Sequence, residues 1–540
     1  MSDGTLSAMK SVNEKPYDYA PGSAERELLE VELRNLLGAE LDIPLIIGGK
    51  EIRTGKTQVL ATPDDRSRTL GRYHKAGAKE AALAVEAALA AKQSWAAMPR
   101  GERAAIFRKA AALISGKYRP RIVAATMLGQ GKTAYQAEID AACETADFFR
   151  FNPVFAEQIW DMQPDSTATE TNRMEYRPLE GFVYAVTPFN FTSIAANLPS
   201  APALMGNTVV WKPASSSILS NWVLMKVYEE AGLPPGVINF LPGSGSEISA
   251  VALARREFAG LHFTGSTRVF KDLWRQIAAN IDGYSAYPRT VGETGGKDFI
   301  FMDPSADQNI ALAAAVRGAF EYQGQKCSAA SRLYVPRSVS GDFLPRLADE
   351  VRSLPMGKVT DFGAFLSAVI DEAAFDTIEG FIERARRSPT ARILAGGGCD
   401  KSEGFYIEPT LIEDRDPRGE TMVSELFGPV LTVHVYDDGD RCAAYRLVDS
   451  TSPYGLTGSV IARDRNAIIA AQEALRNAAG NFYVNDKPTG AVVGRQPFGG
   501  MRGSGTNDKA GSFLNLTRWV NALAVKENLD PPSDWRYANA

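Results

Sequence analysis

Cysteine and histidine are both scarce in this chain. Four widely spaced cysteines in 540 residues exclude a disulfide framework and match no zinc site, which favours a reducing compartment. Three scattered histidines give neither a Ser-His-Asp set nor a metal cluster, so no metal is predicted. The cysteines are Cys143, Cys327, Cys399 and Cys442.

A basic surplus and a long apolar run are missing as well. The 59 Lys and Arg residues face 64 Asp and Glu, a formal net charge of -5, which argues against nucleic acid as the main partner. No apolar run approaches the ~20 residues that a membrane span requires. Residues 1–20 have no apolar core and no arginine, so they predict neither a secretory signal nor a transit peptide. We therefore expect a cytoplasmic protein, with the mitochondrial matrix as the alternative if a leader is absent from this sequence.

Strands and helices alternate from residue 182 onward. A chain of 540 residues exceeds the size at which one hydrophobic core stops growing, so two or more domains are expected. Short β-branched or aromatic runs are separated by helical segments such as Ile218–Ala231, which is typical of a doubly wound α/β domain with a parallel sheet. A second alternating region, residues 299–480, predicts another α/β domain. The first predicted strands are Phe182–Val186, Thr208–Trp211, Val237–Phe240 and Gly260–Phe263.

The remaining segments have other patterns. Apolar residues at three- and four-residue spacing predict helices over residues 24–37 and 76–150, with Gly116 and the glycines at 129–131 as breakers. Residues 160–180 are polar and threonine-rich and predict either a linker or an exposed hairpin. The tail closes on residues 516–525, which resemble a strand.

The strongest chemical signal comes from two glycine-flanked segments, Glu293-Thr-Gly-Gly-Lys297 and Gly324-Gln-Lys-Cys327-Ser. A thiolate such as that of Cys327 attacks a carbonyl carbon, and the thioester formed after oxidation must then be hydrolysed. A carboxylate such as Glu293 is suited to activate first the thiol and then the deacylating water. The alternative for Cys327 is a small buried residue, the usual fate of a free cysteine.

Two further motifs end predicted strands, where open parallel sheets bind ligands. Asn190, in Thr187-Pro-Phe-Asn-Phe191, is either a donor to a developing oxyanion or a turn residue that caps the next helix. Lys212, in Val210-Trp-Lys-Pro, is either a ligand contact or a solvated surface lysine.

Glycine turns form the other candidate sites. The segment from His262 through Gly265-Ser266 predicts a strand, a tight turn and a helix whose free N-terminal amides suit a pyrophosphate, although a plain β–α turn fits equally. Glu425, in Glu-Leu-Phe427-Gly-Pro, is either a ribose anchor or part of a surface turn.

Taken together, these motifs resemble the aldehyde dehydrogenase superfamily, in its order and at its spacing. The seven segments are Pro-Phe-Asn190-Phe, Trp-Lys212-Pro, Phe-Thr-Gly265-Ser, Glu293-x-Gly-Gly-Lys, Gly-Gln-Lys-Cys327, Glu425-x-Phe-Gly-Pro and Pro-Phe498-Gly-Gly. Finer details, running from about Ala82 to Tyr537, look like the L-glutamate γ-semialdehyde (1-pyrroline-5-carboxylate) dehydrogenase branch. They are residues 136–141, 322–332, 485–498 and 504–509.

The resemblance implies an architecture and a reaction. The implied fold is a Rossmann-type NAD-binding domain with an N-terminal helical part (1–159 and 182–292), an α/β catalytic domain (293–495), and a small β oligomerisation flap with a tail (160–181 and 496–540). The implied reaction is NAD-dependent oxidation of glutamate γ-semialdehyde to glutamate, by a homodimer or higher homo-oligomer that contacts a proline dehydrogenase transiently.

The resemblance also implies a role for each matching residue. Cys327 is the implied nucleophile, Glu293 the general base, and Asn190 the oxyanion donor together with the Cys327 amide. The implied NAD contacts are Thr187, Lys212 (adenosine ribose), Gly265 and Ser266 (pyrophosphate), Thr267, Glu425 (nicotinamide ribose) and Phe427. The implied substrate contacts are Glu144 (ammonium), Phe191 and Phe498 (aliphatic chain), Lys326, and Ser328, Gly490 and Ala491 (α-carboxylate).

Two positions depart from the family pattern. Ala491 stands where some relatives have a serine that adds a hydroxyl contact to the carboxylate. Ser215 stands where many NAD-preferring members have a glutamate that repels the 2′-phosphate of NADP, so we expect use of NAD but a less strict exclusion of NADP.

Three alternative functions stay open at this point: an aldehyde dehydrogenase for another semialdehyde, a CoA-acylating relative, and a catalytically silent structural relative. Glu293 favours hydrolysis, because acylating members generally lack this glutamate. Retention of Cys327, Glu293 and Asn190 together argues against a silent relative.

Overall fold

The computed structural model describes residues 11–537 and residue 539; residues 1–10, half of the segment in which no leader is predicted, lie outside the described residues. None of the described helices is long and apolar enough to cross a membrane. In chain order the helices are α1 (Ala24–Leu37), α2 (Ala78–Ala97), α3 (Arg100–Ser115), α4 (Arg119–Gln130), α5 (Ala134–Ala137), α6 (Thr145–Trp160), α7 (Thr192–Leu204), α8 (Ile218–Ala231), α9 (Gly245–Leu253), α10 (Thr267–Ala279), α11 (Gln308–Phe320), α12 (Arg337–Ser353), α13 (Glu372–Arg387), α14 (Glu420–Val423), α15 (Arg441–Ser450), α16 (Arg465–Ala474) and α17 (Phe513–Thr517).

The strands are mostly short. They are β1 (Leu41–Ile43), β2 (Leu45–Ile47), β3 (Lys50–Ile52), β4 (Thr57–Thr62), β5 (Asp65–His74), β6 (Glu170–Pro178), β7 (Phe182–Val186), β8 (Thr208–Lys212), β9 (Ile238–Phe240), β10 (Phe258–Thr264), β11 (Arg289–Glu293), β12 (Asp298–Met302), β13 (Ala330–Pro336), β14 (Ala391–Ala395), β15 (Cys399–Asp400), β16 (Tyr406–Ile407), β17 (Thr410–Asp414), β18 (Val430–Tyr436), β19 (Tyr454–Gly455), β20 (Thr457–Ile461), β21 (Asn481–Val484), β22 (Met501–Arg502) and β23 (Val520–Asn528).

The first large sheet has the strand order β11-β10-β7-β8-β9-β2-β3. The five strands from β11 to β9 run parallel, as their apolar sequences predict, and β2 and β3 add an antiparallel edge. Register pairs Thr264 with Glu293 and Val186 with Lys212. The last residues of four parallel strands therefore lie in a row along one edge of the sheet.

The second large sheet has the order β14-β17-β18-β13-β12-β20-β21 and is parallel except for β14. Its core packs the buried side chains of β12 and β13 against α11 and α12, including Ile300, Leu333 and Phe343. The α/β fold predicted for both regions is confirmed.

A two-stranded ribbon joins two distant parts of the chain. Strand β6 pairs antiparallel with β23 over nine residues, from Val520 opposite Pro178 to Asn528 opposite Glu170. Residues 160–180 are thus neither a linker nor a hairpin of their own, because their partner is the C-terminal segment.

The predicted strand at 516–525 is wrong at its start. Leu516 and Thr517 end helix α17, Trp519 is fully buried, and the strand begins at Val520. Of the predicted breakers at 129–131, Gly129 lies inside α4, and Gly131 ends that helix in the left-handed conformation at φ 71°. The helices predicted at 24–37 and 218–231 are confirmed.

Candidate active site

Cys327 lies where the edges of the two sheets meet. It lies three residues before the start of β13, at the amino edge of the second sheet, and the bond from Asn190 to the Gln325 carbonyl links this edge to the carboxyl edge of the first sheet, where Glu293 ends β11. The Cys327 side chain is partly exposed to a cavity that Gly296, Glu425 and Phe427 also line. The fully buried alternative for this cysteine is therefore wrong.

A tight loop sets the direction of the nucleophile. Tyr322, Gln323 and Gly324 all adopt left-handed conformations, with φ of 53°, 54° and 66°. The Tyr322 hydroxyl donates to the Gln130 carbonyl at 3.0 Å, and the Gln323 amide donates to the Gly131 carbonyl at 2.8 Å. These bonds hold the residues four and five positions before Cys327 against the end of helix α4.

Electrostatics keep the Cys327 sulfur in its neutral form at rest. Burial raises the pKa of the Cys327 thiol, and the nearby carboxylates of Asp298, Glu425 and Glu293 raise it further. Attack by this thiol therefore requires a base, since the thiolate is the reactive form.

Asn190 reaches the same loop from the first sheet. Its side-chain nitrogen donates to the Gln325 carbonyl at 3.1 Å, and the residue is buried. It does not cap helix α7, whose N-cap residue is Phe191. An amide carries two N–H donors, so the second is free to reach an oxygen atom beside Cys327.

Glu293 points toward the glycines of the C-terminal loop. Its Oε2 accepts a hydrogen bond from the Gly500 amide at 2.8 Å. Burial raises the pKa of Glu293 well above its ordinary value, while the Gly500 hydrogen bond and Lys509 oppose the shift and Asp508 adds to it. No hydrogen bond joins Glu293 to Cys327 within the described chain.

The two glycines after Glu293 are dictated by close contacts. A Cβ on Gly295 would lie 2.2 Å from Glu425 Oε2, and a Cβ on Gly296 would lie 2.1 Å from the Cys327 carbonyl oxygen. The Gly296 amide donates to Glu425 Oε1 at 2.9 Å. Glu425 is thus not in a solvated surface turn, and burial raises its pKa to about 7.

We expect Gly296→Ala to damage both stability and activity. Its Cβ would clash with the backbone of the nucleophile loop, and overpacking of this kind costs roughly 1–3 kcal/mol. Thermal unfolding and NADH formation measure the two effects. Gly341→Ala is the matched control, because its Cβ meets nothing within 4 Å. Equal behaviour of the two variants would refute the close contact.

Five of the predicted NAD contacts end or follow strands at the carboxyl edge of the first sheet: Thr187, Lys212, Gly265, Ser266 and Thr267. Thr187 Oγ1 accepts from the Trp211 indole at 3.0 Å, and Lys212 is a partly buried side chain near Gly245 at the start of α9, not a fully solvated lysine. Burial lowers the pKa of Lys212 to about 8.

Helix α10 opens at the same edge. Ser266 is its N-cap and accepts from the Val269 amide, and the first-turn amides of such a helix have no intrahelical partner. Thr267 Oγ1 accepts from the Gly295 amide at 3.3 Å, which links this helix to the glycine turn. Gly265 directly precedes the cap, so the strand, turn and helix predicted here are confirmed. These features fit an elongated phosphate-containing ligand that runs toward Glu425.

Phe427 completes this side of the cavity. It has a left-handed backbone at φ 55° and packs edge-to-face on Phe189 at 5.7 Å.

Helix geometry is irregular on the opposite side of Cys327. Residues 138–144 form a π-helical turn, a rare form frequent at functional sites, and Glu144 ends it. Ser193 donates to Glu144 at 2.9 Å, and burial raises the pKa of Glu144 to about 8. The aromatic ring of Phe191 lies 4.0 Å from the buried Lys132 ammonium, which is paired with Asp140 at 2.7 Å.

The loop of residues 489–495 contacts the segment that follows the nucleophile. Ser328, next to the nucleophile, shares a hydrogen bond of 2.7 Å with Thr489. Gly490 has φ 93°, and Ala491 follows it partly exposed. Phe498 pairs with Ala510 through two backbone hydrogen bonds.

Lys326 is buried away from open solvent. Its ammonium donates to Glu321 at 3.0 Å, and Lys487 donates to the same carboxylate at 2.6 Å. The two lysines lower the pKa of Glu321 to about 2 although burial opposes the shift.

Several residues of this site escape sequence reasoning. Glu321 and Lys487 meet across 166 residues, and Lys132 meets Asp140 inside an irregular helix, so neither pair follows a motif. Asp298, beside the glycine turn, has one buried carboxylate oxygen that accepts no hydrogen bond from the part of the chain that the structure describes. The sequence did contain a signal for Asp298. This residue follows Lys297 directly and begins a buried strand, where a carboxylate is unusual.

Comparison with known proteins agrees with this geometry. The model of the Aldehyde dehydrogenase family matches residues 53–522. The mitochondrial delta-1-pyrroline-5-carboxylate dehydrogenase of Dictyostelium discoideum is 51% identical over 529 residues, which covers 97% of this chain and 95% of that protein. The Delta-pyrroline-5-carboxylate dehydrogenase from Mycobacterium tuberculosis, solved with bound NAD, has a TM-score of 0.96 at 50% identity and covers 100% of this chain and 99% of its own. The 1-pyrroline-5-carboxylate dehydrogenase from Thermus with bound NAD has a TM-score of 0.90 at 32% identity, covering 97% of this chain and 100% of its own.

Proposed function

The chain belongs to the aldehyde dehydrogenase family, and we propose that it oxidises L-glutamate γ-semialdehyde, formed from 1-pyrroline-5-carboxylate, to L-glutamate with NAD as the oxidant. This is the second step of proline degradation. The observation that carries the proposal is the hydrogen bond from Ser328, beside the nucleophile, to the loop that presents the Gly490 and Ala491 amides. This bond supports a site for a small anion in the loop next to the nucleophile segment.

Cys327 and Asn190 perform the first step. The thiol loses its proton to a base, and its sulfur forms a bond to the aldehyde carbon, which gives a tetrahedral oxyanion. The free N–H of Asn190 and the Cys327 amide stabilise that oxyanion, because donors fixed in a buried site need no reorganisation. The bond of Asn190 to Gln325 holds its amide in place for this task.

Glu293 performs the proton transfers. Burial raises its pKa, and in its carboxylate form it accepts a proton from the Cys327 thiol. After oxidation it has released that proton to solvent; it then takes a proton from the water that attacks the thioester and passes it to the departing Cys327 sulfur, which releases the carboxylic acid and restores the thiol. The Gly500 amide keeps the carboxylate ready between these steps.

NAD supplies the oxidant for the conversion of the tetrahedral adduct to the thioester. In this proposal Lys212 would bind the adenosine ribose, the Gly265-Ser266 turn the pyrophosphate, and Glu425 the nicotinamide ribose, with Thr187, Thr267 and Phe427 around them. The fit rests on the free first-turn amides of α10 and on the Gly295 position, where a Cβ would occupy space beside Glu425. Ser215 is exposed and carries no charge to repel a 2′-phosphate, so NADP is accepted weakly.

The far end of the substrate is a zwitterion. Consecutive amides at Gly490 and Ala491 form a small anion site for the α-carboxylate, with Ser328 beside it. In this proposal Glu144 would bind the ammonium, and Phe191 and Phe498 would enclose the aliphatic chain. Lys326 acts through its pair with Glu321, which fixes the residue before the nucleophile.

Ala491→Leu is expected to impair glutamate γ-semialdehyde far more than a simple aldehyde such as propionaldehyde. The larger side chain obstructs the carboxylate site, and remote binding energy of this kind appears as catalytic efficiency. The measurement is the ratio of the two kcat/KM values, from NADH absorbance, in wild type and variant. An unchanged ratio, or a wild type that prefers the simple aldehyde, would leave an aldehyde dehydrogenase and refute the glutamate-semialdehyde assignment.

We also propose the division of the chain implied by the family. Residues 1–159 and 182–292 form the NAD-binding domain, residues 293–495 the catalytic domain, and residues 160–181 and 496–540 the oligomerisation flap and tail. The ribbon of β6 and β23 supports the flap, because an isolated two-stranded sheet is marginal in water and gains from a second copy. Light scattering of the purified protein tests for a homodimer or larger assembly.

Cellular placement is proposed as the cytoplasm, with the mitochondrial matrix as the alternative, since some relatives are named as mitochondrial. A transient contact with a proline dehydrogenase, which would hand over the substrate, is part of the same proposal. Fractionation and co-purification test these two points.

A further inference from the structure

The N-terminal segment 11–19, here named the strap, lies without regular structure against the substrate side of the molecule. The side chain of Asn13, in this strap, makes three hydrogen bonds of 2.8 to 3.0 Å. The Asn13 amide nitrogen donates to Asp147 Oδ2 at 2.8 Å and to the Val493 carbonyl at 2.8 Å. Its oxygen accepts from Arg495 Nε at 3.0 Å. One side chain thus joins helix α6 to the end of the 489–495 loop.

The loop is held at both ends. At its start, Thr489 is bonded to Ser328 beside the nucleophile. At its end, Val493 and Arg495 are bonded to Asn13, and a Cβ on Gly494 would lie 2.3 Å from the Phe151 ring of α6. The Gly490 and Ala491 amides lie between these two attachments. Removal of either attachment therefore changes where the amides point.

The strap also contacts helix α6, whose N-cap is Glu144. The Glu14 amide donates to Asp147 at 2.7 Å, and the Glu14 carboxylate pairs with Arg119 at 2.8 Å. Arg119 in turn donates through its Nε to Glu138 at 3.0 Å, and Tyr19 donates to Glu138 at 2.6 Å. Glu138 begins the π-helical turn that ends at Glu144.

Resting on the proposed function above, we propose that Asn13 is a positioning residue for substrate specificity. It fixes the spacing between the carboxylate-binding amides and the ammonium-binding carboxylate, and so favours an α-amino acid semialdehyde over an aldehyde that lacks these groups. Asn13 does not touch the reacting atoms. Its effect passes through the Val493 carbonyl and Arg495 to the backbone of the loop, and through Asp147 to α6.

The test compares kcat/KM for glutamate γ-semialdehyde and for propionaldehyde in the full-length enzyme. Asn13→Ala should lower the ratio of the two values by about tenfold, mostly through a higher KM for the amino-acid substrate, because two hydrogen bonds to the loop are lost. The rate with propionaldehyde and the affinity for NAD should stay near those of the wild type. Ser11→Ala is the matched control. Ser11 lies in the same strap, but its hydroxyl donates to the Arg150 carbonyl of helix α6 and does not contact the loop.

A double-mutant cycle tests whether Asn13 acts through its contact with Arg495. Arg495→Ala alone should lower the ratio, and the pair Asn13→Ala with Arg495→Ala should lower it by less than the product of the two single effects, because both act through one contact. If Asn13→Ala unfolds, the Arg495→Ala single variant still tests the proposal, since Arg495 is exposed and its replacement leaves the strap otherwise intact.

Two results would overturn the proposal. Equal losses for both aldehydes would make Asn13 a purely structural residue, and an unchanged ratio would show that the loop does not depend on it. A failure of the proposed function itself would give a different result: the wild-type enzyme would not prefer glutamate γ-semialdehyde.

Discussion

Cys327→Ala is expected to abolish dehydrogenation while NAD binding stays nearly unchanged. The sulfur forms the covalent bond to the substrate, and without it the enzyme has no nucleophile, so turnover should fall by at least about 10⁴-fold. The alanine also fits the existing space, because it removes one atom from a cavity wall. NADH formation gives the rate, and fluorescence titration gives the affinity for NAD.

Cys442→Ala is the control for this experiment, because Cys442 is an exposed thiol remote from the site. Its activity should match the wild type. Substantial turnover by Cys327→Ala would assign the covalent step to another group and would remove the basis of the proposed function.

Glu293→Gln should lower turnover by about 10² to 10⁴, the usual worth of general-base catalysis. The amide keeps the size of the side chain and its ability to accept from Gly500, yet it cannot take a proton. If thioester hydrolysis is the main task of Glu293, pre-steady-state NADH should appear as a burst followed by slow release of acid.

The pH profile adds a second readout for Glu293. Burial raises its pKa, so the charged and active form is lost as pH falls through that raised value, and kcat/KM should fall with it. This acidic limb should be absent from Glu293→Gln. A steady-state rate like that of the wild type, or a retained limb, would exclude the role.

Local sequence predicted much of the fold and the centre of the site. Strand Phe182–Val186 and helix Ile218–Ala231 have the predicted bounds, because apolar residues at the period of each element are a strong local signal. Glu293, Cys327 and Glu425 were predictable because glycines mark the turns that present them. The register of the parallel strands then brings these separate turns to one edge.

Contacts between distant segments were not predictable in the same way. The partner of β6 lies more than 300 residues away, so the polar pattern of residues 160–180 could not name it. Asn13 joins a loop 480 residues later in the chain, and its sequence neighbourhood is polar and irregular. Such contacts depend on the folded arrangement of whole elements, which no local pattern encodes.

The left-handed backbone at Tyr322 and Gln323 costs this enzyme conformational free energy. Non-glycine residues in this conformation each cost roughly 1–3 kcal/mol, and glycine would avoid that cost. Glycine has no side chain, however, and here both side chains are buried and bonded to the end of α4. Selection for stability alone would favour the relaxed backbone. Selection for a thiol held in one direction favours the strained one, so this loop lowers the stability of the fold in favour of the reaction.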